Sequence, residues 1–305
     1  VSIWVVYLIS IKLRDDYSNF IFYLSPLVAV VLTLFFGSFI FLILDLSPIE
    51  FFKIFFISPI SNSYGISELF VKATPLAIIA LGLSYCFKNN IYNIGAEGQL
   101  TMGAIFGGGI GLLFNDSTSI FLLPLMILFG AIGGAFWASI PALLKTKFNT
   151  NEILTSLMLT YVALFILDYF VVGPWKDPTG YGLPKSMPFP DAGRLPVLFD
   201  GLRIHIGVYF AIIICFISYI VYNKTLFGFK LRVSGLSSKA SQYAGFKYKN
   251  LIFYTFIISG ACAGLAGLFE VSGPIGLLYR DISPNYGFTA IIVAFLGRLN
   301  PIGII

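Results

Sequence analysis

Long apolar runs alternate along this chain with short stretches rich in charge, glycine and proline. The runs fall at 21–45, 73–88, 98–114, 119–144, 152–172, 205–222, 251–272 and 288–305. A helix that crosses a bilayer needs about 20 mainly apolar residues, so the pattern predicts an all-α, polytopic transmembrane helix bundle of about eight segments. The second and third runs are short and flank Asn93-Ile-Gly-Ala-Glu-Gly-Gln99. The last is interrupted by Gly297-Arg298-Leu299-Asn300-Pro301 and reads as a half-helix followed by the start of another. Asp45, Ser47 and Pro48 end the first run. The stretch 49–72, with Phe51, Phe52, Ile54, Phe55 and Phe56 beside Glu50 and Lys53, reads as interfacial rather than spanning.

Composition sharpens this. Hydrophobic residues make up 58% of the chain and charged residues 11%, against about 25% charged in a soluble globular domain. The net charge of +5 is therefore no nucleic-acid signal; it comes from loop lysines and arginines, which orient a membrane protein. Loop 223–250 carries Lys224, Lys230, Arg232, Lys239, Lys247 and Lys249 and no acid, whereas 173–203 mixes both signs and holds Pro174, Pro178, Pro184, Pro188, Pro190 and Pro196. The positive-inside rule puts 223–250 in the cytoplasm. Alternation then places 145–151 and the N-terminal Lys12 and Arg14 on the same side, 173–203 outside, and the motif at 93–99 toward the cytoplasmic side.

Candidate chemistry is sparse. Cys86, Cys215 and Cys262 lie in apolar runs without a CxxC spacing and read as small buried hydrophobes. His205, the single histidine, lies at a helix entrance. No HExxH, GxSxG or GxxxxGK[ST] motif occurs, so hydrolase chemistry is disfavoured and ATP must be bound elsewhere if ATP drives the protein. No catalytic residue, metal ligand or cofactor site is assigned. The run Val1–Ile11 is not followed by a small-residue cleavage site, so no cleavable signal is expected. The apolar ending Gly303-Ile-Ile305 suggests a chain that continues past its last residue.

The informative motif remains Asn93, Gly95, Glu97, Gly98 and Gln99. Irregular backbone cannot face lipid, because each unpaired N–H or C=O costs several kcal/mol there. A glycine-broken helix must be buried in protein or line a cavity. Two readings stand: the break shapes a translocation path, or its side chains pin two half-helices together. A proton-coupling role for Glu97 is a further, weaker alternative, which would make the chain a secondary transporter. Asp168 and Glu270 lie near the outer ends of their spans and read as interfacial. Tyr243, Tyr254 and the Phe-rich faces read as packing rather than ligand stacking. The pairs Gly103/Gly107, Gly130/Gly134 and Gly260/Gly264 mark close helix contacts.

Loop 223–250 is longer than the roughly two to eight residues that usually join helices. Its stretch 237–244 predicts a short helix, capped by Ser237 or Ser238 and ended by Gly245, with Ala240, Tyr243 and Ala244 on one face. A small apolar face with a basic rim suits docking of a soluble partner; the alternative is a basic loop held at anionic headgroups.

These pieces, in order, resemble the permease subunits of ABC importers for nucleosides and simple sugars, within the ribose/branched-chain amino acid permease superfamily. The resemblance rests on the 93–99 motif, Thr150-Asn-Glu-Ile-Leu-Thr-Ser-Leu-Met-Leu159, Gly173-Pro-Trp175 with Asp177-Pro178, Leu231-Arg-Val-Ser-Gly235 with Ala240 and Tyr243-Ala-Gly245, and Tyr286-Gly-Phe with Ile292-Val-Ala-Phe-Leu-Gly-Arg-Leu-Asn-Pro301. It departs after Gly235, where relatives often carry an acid and an Asn-Pro pair and this chain has Leu236-Ser-Ser238. The resemblance implies one permease domain over 1–305 in a bacterial-type plasma membrane. It implies a second, often non-identical permease, and an extracytoplasmic binding protein. It also implies a cytoplasmic ATPase that holds ATP and Mg and docks at 236–246, around Gly235, Ala240, Tyr243, Ala244 and Gly245. The implied solute is a nucleoside, with ribose or galactose as the main rival and branched-chain amino acids third.

Overall fold

The computed structural model describes residues 19–305, which form two compact units parting between Asn62 and Ser63. The N-terminal run, with Lys12 and Arg14, lies outside the described residues. In the first unit, helix α1 (Asn19–Ile43) ends where Asp45 takes a left-handed backbone (φ 55°). Ser47 caps the short helix α2 (Pro48–Phe52), as the Asp45-Ser47-Pro48 stop signal predicts, and single turns of π and 3-10 helix follow to Ile60.

The second unit holds the bundle. Five of its helices are long and apolar enough to cross a membrane, and each coincides with a predicted span. Helix α3 (Ser63–Lys88) corrects one boundary. The helix begins ten residues ahead of 73, so 63–72 is continuous with the predicted span. Pro75 removes one backbone donor inside the helix, yet the helix runs through it, and Thr74 Oγ1 donates to the Phe70 carbonyl at 2.7 Å. Helix α4 (Ala96–Leu113) is followed by α5 (Leu122–Phe148) and α6 (Glu152–Val172). The α5–α6 turn is made by Asn149 in a left-handed conformation and Asn151, whose Oδ1 accepts from the Ile153 N–H at 3.0 Å. Helix α7 (Gly207–Lys224) leads to α8 (Leu226–Leu236) and α9 (Ser238–Tyr243). Helix α10 (Tyr248–Glu270) runs on into a π turn, Val271–Ile275. After an extended stretch, α11 (Tyr286–Leu296) forms; Arg298 and Leu299 then adopt positive φ, and Asn300 caps α12 (Pro301–Ile304), as the Gly297–Pro301 break predicts.

The core is a glycine seam joining α4, α5 and α10. A methyl on Gly103 would strike the Gly264 backbone, one on Gly264 the Gly130 carbonyl, and one on Gly134 the Gly260 carbonyl. Backbones this close gain dispersion contact along their whole length. Leu100, Phe256, Leu268 and Phe269 close over the seam without exposure. In contrast, α6 and α7 expose apolar stripes, among them Leu154, Met158, Phe165 and Tyr169 on α6.

The long connection between α6 and α7 is fastened to the bundle. Phe189 and Leu195 are buried. The Ser186 N–H donates to the Leu278 carbonyl and the Phe189 N–H to the Gly276 carbonyl, both at 2.8 Å; the Leu195 N–H donates to Ser272 at 2.9 Å. Trp175 stacks on Phe170 with ring centres 4.2 Å apart. Asp177 accepts from both the N–H and the hydroxyl of Thr179 (2.9 and 2.7 Å), which holds its carboxyl below the usual range. At the opposite end, Lys145 and Glu152 pair at 2.9 Å across the α5–α6 turn.

Candidate functional site

The chain leaves α3 at Lys88 and re-enters helix at Ala96. Between them the backbone is irregular and, apart from Asn90 and Tyr92, largely buried, and side chains supply part of its hydrogen bonding. Asn93 Nδ2 donates to Gln99 Oε1 (2.9 Å) and to Ser259 Oγ of α10 (3.0 Å). Gln99 Nε2 donates back to Asn93 Oδ1 (3.0 Å), which also accepts from the Gly95 N–H (3.1 Å). Ser156 Oγ of α6 accepts from the Ile94 N–H at 3.2 Å. Gly95 and Gly98 are glycine because α6 leaves no room: a Cβ would sit 2.7 Å from the Ser156 oxygen or 2.7 Å from the Thr160 Cα. The structure thus brings Asn93, Gly95, Glu97, Gly98 and Gln99 together with α6 and α10 in a buried polar joint.

Glu97 turns toward a second irregular segment, 276–285. Its Oε2 accepts from the Gly287 N–H at 2.6 Å, in the first turn of α11. The carboxylate stands between the N-termini of α4 and α11, where both helix dipoles favour negative charge. Gly287 is pressed onto the α4 backbone; a Cβ there would strike the Glu97 nitrogen.

Beside this contact a groove of about 240 Å³ opens between α4, α6 and segment 280–288. Glu97, Thr101, Thr160, Arg280, Asp281, Ser283 and Asn285 supply its polar groups, and Tyr161 and Phe288 its aromatic walls. Arg280 Nε donates to Asp168 Oδ1 at 2.6 Å. Apart from Glu97, the sequence reading selected none of these as binding residues. They are scattered singly over three elements, and only the re-entrant path of 276–285 gathers them.

The second predicted group divides. Ser237 Oγ accepts from the Ala240 N–H (3.2 Å), and Gly245 (φ 77°) closes α9, as predicted. Ala240, Tyr243 and Ala244 are all exposed. Tyr243 is 96% exposed and Tyr254 53%, so neither is the packing residue expected. Gly235 does not share this face. It lies against α3, where a Cβ would strike the Lys88 carbonyl. Helix α8 therefore touches the chain one residue ahead of the irregular segment that carries Asn93.

The remaining acids lie near the ends of α6 and α10. Asp168 is paired with Arg280. Glu270 is buried, with its carboxylate 4.0 Å from the Lys72 ammonium. His205 stands at the entrance of α7, ahead of the helix, and its Nδ1 accepts from the Gly207 N–H at 3.2 Å. Burial first, and Arg203 second, lower its pKa to about 4.

A buried joint beside a polar groove suits passage of a solute. Residues 65–305 match the family described as the permease component of branched-chain amino acid transport systems. The chain belongs to this permease family. It is an integral membrane transport component, not a catalytic enzyme. The chain is 36% identical to the glucose ABC transporter permease of Haloferax volcanii, over 90% of its length and 75% of the relative's. It is 31% identical to the guanosine ABC transporter permease of Bacillus subtilis, over 92% and 81%. It is 30% identical to a nucleoside ABC transporter permease of Lactococcus lactis, over 92% and 80%. No solved structure matches this permease.

Proposed function

We propose that this permease carries nucleosides and that the groove beside Glu97 is its solute-facing surface. The groove itself supports the reading. Hydroxyl, amide and charged groups would take the hydroxyls of a ribose, and Tyr161 and Phe288 offer aromatic faces for a base, as stacking requires. The names of the guanosine and nucleoside relatives support the same class. A glucose-type sugar is the second reading, favoured by the Haloferax relative at 36% identity.

In this reading the permease works with a second permease subunit, commonly a different chain, and an extracytoplasmic binding protein. A cytoplasmic ATPase holds ATP and Mg; this chain binds neither. The N-terminus and loop 223–250 are cytoplasmic, 173–203 is extracytoplasmic, and the membrane is a bacterial-type plasma membrane. The exposed face of Ala240, Tyr243 and Ala244 receives the ATPase. The deciding experiment is uptake of labelled guanosine by cells expressing the assembled transporter, with glucose and ribose as competitors. ATP-dependent uptake indifferent to excess sugar supports the nucleoside reading; uptake abolished by sugar moves it to the second. Ala240→Glu with Ala244→Glu should uncouple ATP hydrolysis from uptake while membrane insertion stays normal; unchanged uptake would place docking elsewhere.

A further inference from the structure

At the basic end of the bundle, a cleft of about 600 Å³ lies between the end of α5 and the start of α10. Lys147 and Lys249 flank it, Thr146 and Asn250 add polar groups, and Leu143 and Phe253 form an apolar wall. Among the described residues neither lysine joins an ion pair, whereas the neighbouring Lys145 is held by Glu152. No carboxylate is among the described residues that line the cleft. It is thus a basic site whose charge the fold leaves uncompensated.

Its surroundings select the kind of anion. Leu128, Ile132, Phe136 and Leu143 are each at least 40% exposed and follow one another along one face of α5. Lys147 stands one helical turn beyond Leu143 on that face. An apolar track therefore leads along the membrane-spanning helix to the lysines. Tyr254, half exposed on α10, has the amphipathic character of residues at the headgroup level. A second cleft adjoins the first, sharing Asn250 and Tyr254 and adding Lys230 and Lys247.

We propose that this cleft binds the headgroup of an anionic phospholipid, with a phosphate between Lys147 and Lys249 and an acyl chain along the α5 track. A soluble phosphate would use the lysines but not the track. A zwitterionic lipid would use the track but leave the lysine charge unmatched. A lipid with two phosphates can also reach Lys230 and Lys247, so cardiolipin should bind more tightly than phosphatidylglycerol.

The test is native mass spectrometry of the full purified transporter titrated with phosphatidylcholine, phosphatidylglycerol or cardiolipin. Each lysine near an anionic headgroup adds about five-fold in affinity, so Lys147→Gln with Lys249→Gln should weaken phosphatidylglycerol binding about thirty-fold. Lys147→Arg with Lys249→Arg should retain it, and Lys239→Gln on α9 should have no effect. If the double Gln variant fails to insert, Lys249→Gln alone should show the five-fold loss. Equal binding of phosphatidylcholine, or undiminished anionic binding in the Gln variants, would overturn the proposal. Loss of the partner permease or ATPase instead of lipid would also overturn it, because this face would then be a protein contact.

Discussion

The two irregular segments that meet at Glu97 solve one problem in different ways. Residues 89–95 are largely enclosed, with Asn90 and Tyr92 exposed, and the Asn93–Gln99 amide pair supplies much of their bonding, helped by Ser156 of α6 and Ser259 of α10. Residues 276–285 borrow their partners, Ser186 and Phe189 from the α6–α7 connection and Asp168 from α6, and the Glu97 carboxylate takes the Gly287 N–H just beyond them. The first is a fixed joint. The second stays formed only while other parts of the molecule hold it, and it is the one that lines the groove. Irregular backbone can survive at membrane depth in either way, but the second leans on more distant parts of the chain.

The largest test of this contrast is Gly287→Ala. Its Cβ would strike the Glu97 nitrogen and force the two segments apart at a cost of about 3 kcal/mol. The unfolding temperature of the detergent-solubilised protein should drop clearly; a wild-type value would mean that the contact is soft. Next comes Asn93→Leu, which strands the Gln99 amide and the Gly95 N–H at about 2–3 kcal/mol. Adding Gln99→Leu should restore part of that loss. If the two losses simply add, the amide pair is no unit and the fixed joint is disproved.

A pH effect should separate the segments without any substitution. His205 packs beside Gly273, in the π turn that leads into the second segment. Its pKa of about 4 lies below the ordinary 6.5, so the unfolded chain binds the proton more readily. Stability is complete above pH 6.5, falls as pH drops toward 4 and falls no further below that. At pH 5 the loss is about 2 kcal/mol. Hydrogen-exchange protection, corrected for intrinsic rates, should fall over 271–279 and hold over 89–95. His205→Asn, which keeps an acceptor for the Gly207 N–H, should abolish the difference. The smallest expected stability change is for Arg280→Gln. An exposed pair contributes about 0.5 kcal/mol, so stability should barely move while guanosine uptake falls. Intact uptake would remove Arg280 from the solute path.

The contrast also explains what could be read from the sequence. The fixed joint was legible because its parts are local: two glycines and three polar residues inside one apolar region, with partners six residues apart. Helix α9 was legible for the same reason, since Ser237 and Gly245 bracket it. The start of α3 was placed late because 63–72, with Glu68 and Lys72, is less apolar than the residues that follow. The groove was mostly invisible. Thr101, Thr160, Arg280 and Asn285 are ordinary residues until a re-entrant turn brings them together. The fastening of the α6–α7 connection was hidden too, because its prolines and mixed charges resemble those of any solvated loop.

The glycine seam has a mechanical consequence. Three helices whose backbones touch cannot slide or rotate against one another without collision. A machine that alternates between two openings needs a stator as well as a moving part. Helices α4, α5 and α10 suit that stator, because the seam resists any movement of one past another.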